Sequence, residues 1–198
     1  MILALLASQI LEHYAPPPPS ANLAPFPNFT QTCLDAGIQS KACLVTTLDA
    51  IDYAHKQEGL GIIYLPRNWQ SLTPAEQLFV ITNLERTARG ERPIPGLTAS
   101  LDQIAETGAA QHTDPVLSPF AIAPVASIWA ESEGPLASDY EWMYNDGFNG
   151  VSDTPNLACQ SPTAPGCWGH RNNILAEWSR RLLANMPGAW YRSCSNPG

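Results

Sequence analysis

Two histidines stand at segment boundaries, where an imidazole can be held in place and still be reached. His170 lies in GCWGHRNNILAEW, between a Gly/Cys/Trp turn and a helix start. His112 closes AETGAAQH, where Leu101, Ala105, Gly108 and His112 recur at helical steps and put it on or beside one face. An imidazole can bind a divalent cation, move a proton, or simply tie two loops together. For His112, a hydrogen-bonded residue at the core rim is the plainer reading. Cys167, three residues before His170, raises a cysteine–histidine hydrolase, but Cys159 is a ready disulfide partner and that pairing is preferred. Asp146, Asn149 and Asp153 offer oxygens for calcium, though not at EF-hand spacing, and turn formation explains them better.

Other enzyme templates are missing. The chain has no G-x-S-x-G elbow, no H-E-x-x-H helix and no glycine-rich nucleotide loop, and Ser193 and Ser195 have no visible triad. Trp129, Trp142, Tyr144 and Trp168 suit a glycan or lipid site and suit a packed core still better.

These residues need a scaffold, and 198 residues with 44% hydrophobic content can build a core without metals. A formal charge of −8 with only ten Lys plus Arg argues against nucleic acid and against an anionic membrane. Five cysteines form no CxxC, which argues against a structural zinc site. Cys33–Cys43 and Cys159–Cys167 are easily closed local pairs, leaving Cys194 over, and such bonds favour a secreted or cell-surface location. The opening MILALLASQILEHY lacks a basic n-region and the length of a membrane span, so it reads as a short helix packed on the domain. The four prolines that follow favour an extended surface strap, and NFT at 28–30 matches a glycosylation acceptor.

Along the chain, ACLVTTLDAIDYAH predicts a helix and GLGIIYLP a short strand or buried extended segment. In SLTPAEQLFVITNLERTARG, Thr73 caps, Pro74 opens, Glu76 completes a capping box and Gly90 ends a helix. Asn83 and Arg86 on that helix either tie neighbouring loops to it or face solvent. A helix is expected through 137–144, with an extended piece near 128–129 before it and an irregular connection after it. A last helix starts at HRNNIL, and AWYRSC supplies an edge strand.

The order NLERTARG, AAQH, WAESEGPLASDYEW, GHRNNIL resembles the CAP superfamily (the cysteine-rich secretory, antigen 5 and pathogenesis-related proteins), particularly its bacterial SCP-like branch. The resemblance spans about residues 71–190. It divides the chain into an N-terminal extension, 1–70, packed on a CAP-like domain, 71–198. It implies an α+β fold, an α-β-α sandwich around a central, largely antiparallel sheet, with an open cleft holding two histidines and two acids. His112 and His170 match the histidines, and Glu141 the acid on the intervening helix. Where the family has GEN this chain has ASIWAESEG, so Glu131 is the nearest second acid and Glu133 its substitute. The implied function is an extracellular binding module for a protein, glycan or lipid, with a cleft that could take zinc or calcium at His112 and His170. Metal-assisted hydrolysis of a peptide or other polymer, with His112 and His170 holding the ion, Glu141 serving as base and Glu131 as the second catalytic candidate, is the alternative. A structural adhesion domain using the proline-rich arm is a third.

Overall fold

A computed structural model describes residues 21–116, 127–131, 134–151 and 156–176. Its helices are α1 (Phe29–Ala36), α2 (Lys41–Gln57), α3 (Pro74–Ala88), α4 (Ala99–Ala110), α5 (Pro135–Tyr144) and α6 (Gly169–Leu175). Their starts are set locally. Asn28 accepts from the Thr30 N–H, Ser40 accepts from the Cys43 N–H, and Thr73 with Glu76 forms a full capping box ahead of Pro74. Gly90, at φ 77°, ends α3: its N–H donates to Thr87 O and the Glu91 N–H to Arg86 O, satisfying the last carbonyls.

The core is built around α5. Leu136, Ala137, Tyr140, Trp142, Met143 and Tyr144 are all buried, so this helix is covered on every side. α2, α3 and α6 pack on it, and α1 joins through α2, with Phe29 edge-on to Tyr140 at 5.3 Å. Burial of Leu136 and of Met143 contributes roughly 1.5–3 kcal/mol each. The described residues on either side of position 70, from Leu23 and Phe29 to Ile174 and Leu175, thus share one core.

The sandwich with a central sheet is not what these residues build. Among the described residues there are helices and no strand. The reason lies in where extended backbone finds its partners. In GLGIIYLP the Ile63 N–H donates to Asp52 Oδ1 on α2 at 2.7 Å. Ile94 is held at both its N–H and its C=O by one side chain, Asn83 of α3, at 2.6 and 3.1 Å. Leu23 N–H donates to Tyr144 O at 2.9 Å, and Trp142 Nε1–H donates to Trp129 O at 3.2 Å. Helix-borne groups do the work that a neighbouring strand would do in a sheet. The edge strand expected at AWYRSC, and the opening 14 residues with the proline run, lie outside the described residues.

A charged cluster in the core fixes α6. Arg171 forks onto Glu58, both bonds 2.9 Å, and also donates to Met143 O at 2.7 Å. Arg86 donates to Arg92 O at 2.7 Å, to Ile174 O, and to Ala176 O at 2.9 Å, clamping the far end of the same helix. Arg89 bridges Glu58 and Glu85, while Glu85 also accepts from Tyr144 at 2.8 Å and from His55 at 3.0 Å. The other nitrogen of His55 meets Gly61 O at 2.8 Å. Both partners of His55 are pure acceptors, so both ring nitrogens donate and the ring is a buried cation. Burial opposes that charge, but Glu85 raises the His55 pKa above its ordinary value.

Candidate functional site

The site is built from the start of α6 and the end of α4. α6 begins after Trp168, which sits in the left-handed region at φ 61° and gives the helix no side-chain cap. A carboxylate from elsewhere supplies it. Asp146 Oδ2 accepts from the His170 and Arg171 N–H groups at 2.8 and 3.2 Å. Its Oδ1 accepts from His170 Nδ1 at 2.6 Å and from Asn156 Nδ2, also at 2.6 Å. One buried acid therefore caps the helix, orients the imidazole and holds the following loop. Nδ1 carries a proton toward Asp146, and Nε2 has no partner among the described residues. Burial lowers the His170 pKa, but the Asp146 bond and charge, with the nearby Asp114 charge, outweigh it and raise it overall.

The loop beyond Asp146 is closed by chemistry visible in the sequence. Cys159 and Cys167 form a disulfide with Cα atoms 4.5 Å apart, as do Cys33 and Cys43. Asn156 also donates to Asp146 O at 3.0 Å and Gly166 O at 2.9 Å, tying the loop to the segments on either side of it, and Asn156, Leu157 and Ala158 line the same cavity as His170. Gly147 packs close to Trp168, and a Cβ there would sit 2.8 Å from the indole and 2.9 Å from Asn22 Oδ1. Close approach requires glycine at that point.

His112 is placed by the end of α4. The helix stops at Ala110. His112 N–H donates to Ala109 O and Thr113 N–H to Gly108 O, the same closing pattern as at Gly90. Here the left-handed position, φ 53°, belongs to a histidine. A side chain there costs about 1 kcal/mol relative to glycine. The turn directs the ring onto Trp129, edge-on at 5.9 Å, with Nδ1 3.6 Å from Glu131 Oε1. His112 is 60% exposed and so is no core residue.

His112, Glu131, Glu141 and His170 line one cavity of about 370 Å³, together with Trp129 and Trp142. Glu141, on α5, accepts from Asn145 Nδ2 at 2.6 Å, and Asn145 Oδ1 accepts from the Val151 N–H. Glu133 and Asp153 lie outside the described residues. Sequence reading missed two acids of this cavity. Asp146 was visible only as a turn or calcium residue, because a partner 24 positions away has no periodic signature. Asp114, in HTDP, is raised by burial despite the His170 charge and an N–H bond from Trp129. Its position beside Pro115 at a helix end was the one signal present.

A zinc or calcium ion would need converging donors. Among the described residues no three His, Cys, Asp or Glu side chains are placed to hold one ion. Cys167, bound in its disulfide, supplies no nucleophile.

No helix among the described residues is long and apolar enough to cross a membrane. No family model, no curated protein and no solved structure matches this chain.

Proposed function

We propose that this chain is a binding module of the extracytoplasmic space whose cleft seats a neutral glycan unit between His112 and His170. The observation that carries the reading is the Asp146–His170 pair at the cavity wall. It presents an oriented ring nitrogen, Nε2, in a cavity that also offers indole surface from Trp129 and acceptors from Asp114, Glu131 and Glu141. Apolar surface with a few fixed polar groups is the general form of a small-molecule site, and a sugar matches it with a C–H face and a rim of hydroxyls. The four acids outnumber the two imidazoles, so an anionic ligand is disfavoured. Two disulfides support the extracytoplasmic setting.

The hydrolase alternative asks Glu141 to act as base, yet Asn145 already occupies one of its oxygens at 2.6 Å. The adhesion alternative rests on the proline-rich arm, which lies outside the described residues.

Calorimetric titration of the whole chain with a panel of neutral oligosaccharides tests the proposal. One class should bind, and Trp129→Ala and His170→Ala should each weaken it roughly tenfold, about 1.4 kcal/mol, without changing the helical circular dichroism. Binding that survives both substitutions, or a panel that shows none, would sink it.

A further inference from the structure

The two disulfides differ in what surrounds them. Cys33 and Cys43 are 1% and 3% exposed and belong to the core where α1 meets α2. Cys159 is 5% exposed, but its partner Cys167 is partly open to solvent. Thiol–disulfide exchange requires a thiolate to reach one of the two sulfurs. The second bond can therefore be attacked at Cys167, whereas the first is shielded until the core opens.

The accessible bond also joins two parts of the cleft wall. Asn156, Leu157 and Ala158 line the cavity on one side of the ring, and on the other Cys167 stands three residues before His170. No backbone–backbone hydrogen bond runs between the described residues 156–159 and 165–168. Besides the disulfide, the Asn156 amide reaches across to Gly166 O at 2.9 Å, and Gly166 packs so closely on Ala158 that a Cβ would lie 2.4 Å from Ala158 O. Asn156 donates as well to Asp146 Oδ1, the oxygen that His170 Nδ1 meets. The ring thus pins the residue that shares the anchor of the imidazole.

We propose that Cys159–Cys167 is a redox latch on the cleft. Closed, it holds the 156–158 wall against the start of α6; opened by a dithiol reductant, it releases that wall while the core stays folded. A thiolate of the dithiol attacks Cys167 Sγ, the S–S bond breaks, and Cys159 leaves as a thiolate that takes a proton from water. The second thiol of the reductant then displaces Cys167, so the pair gains two electrons and two protons and the reductant leaves as a disulfide. In the oxidising setting proposed above, the closed form is the resting one. The release of the wall is independent of the ligand, whereas its effect on affinity rests on the glycan reading.

Dithiothreitol titration of the whole chain under native conditions tests the latch, with the open bond located by alkylation and peptide mass spectrometry. Cys159–Cys167 should open at a roughly tenfold lower reductant concentration than Cys33–Cys43. In the half-reduced protein, hydrogen exchange at the Ala158 and Trp168 amides should quicken roughly tenfold while α2, α3 and α5 keep their protection, and reoxidation should restore the slow rates. Cys159→Ser with Cys167→Ser should show the fast exchange without reductant. Both bonds opening together overturns the proposal, as does unchanged exchange at those two amides, or loss of helical signal when the Cys159–Cys167 bond alone is open. A neutral oligosaccharide that binds the oxidised and half-reduced forms equally would remove the latch and leave the glycan reading standing. Selective opening and faster exchange, with no oligosaccharide bound by either form, would do the reverse.

Discussion

Asp146 and His170, 24 positions apart, are joined by a 2.6 Å hydrogen bond from Nδ1 to Oδ1, and the other Asp146 oxygen caps the helix that carries His170. The orientation of the imidazole and the start of α6 therefore depend on the same carboxylate.

Asp146→Asn should separate the two roles. An amide oxygen can still cap α6, but it removes the charge that raises the His170 pKa. The imidazole should then titrate lower by nuclear magnetic resonance, and glycan affinity should fall several-fold. Asp146→Ala should in addition lose the cap, at about 1–2 kcal/mol of stability in urea denaturation.

His112→Gly should stabilise the protein while weakening the cleft. Glycine takes the left-handed position without strain, which favours the fold by about 0.5–1 kcal/mol. A rise of a few degrees in melting temperature, with reduced ligand affinity, would show a residue kept for its site. A fall in melting temperature would show that the ring's contact with Trp129 outweighs the strain.

The core cluster makes stability depend on pH from both sides. Burial raises the Glu85 pKa, but Arg89, His55 and Tyr144 bring it well below its ordinary value. Its contribution is full above its unfolded pKa of 4.5 and fades as pH falls. His55 runs the other way: its pKa is raised, so its contribution is full below 6.5 and fades as pH rises through the folded value. Asp139, raised well above 3.8 by burial and by the Glu85 charge, likewise weakens the fold as it ionises. Urea denaturation across the pH range should show maximum stability in mildly acidic solution. Glu85→Gln should cost about 3–5 kcal/mol, because it leaves Arg89 and His55 as buried cations without their shared anion.

Removing the bond between Cys159 and Cys167 by double serine substitution should cost about 2–3 kcal/mol, from the loop-closure entropy of so short a ring. The loop held by Asn156 should loosen with it, because Asn156, Leu157 and Ala158 line the cavity, and cleft affinity should fall more than it does on removal of Cys33–Cys43, neither of whose cysteines lines it. Equal effects on binding would show that the loop does not shape the site.

How much of this was legible depended on how far apart the interacting residues lie. Helix α3 could be read residue by residue, from Thr73, Pro74 and Glu76 to Gly90, because caps and stops act within one turn. Both disulfides join cysteines ten or fewer positions apart and were visible as local pairs. The motif resemblance singled out His112, Glu131, Glu141 and His170, and all four line one cavity. The sheet that came with that resemblance is absent among the described residues.

From sequence alone, then, came the helices with strong local signals, the acidic character of the chain, the local cysteine pairs and the histidines worth watching. Tertiary structure alone decided that Asn83, Asp52 and Tyr144 would take the backbone bonds of extended segments that might have paired as strands. It also decided that Glu58 would meet Arg171 across 113 positions, and that Asp146 would meet His170. Periodicity and capping are written in neighbouring residues. The partner of a buried polar group is chosen by which donors and acceptors the packed core brings within about 3 Å, and no local pattern encodes that choice.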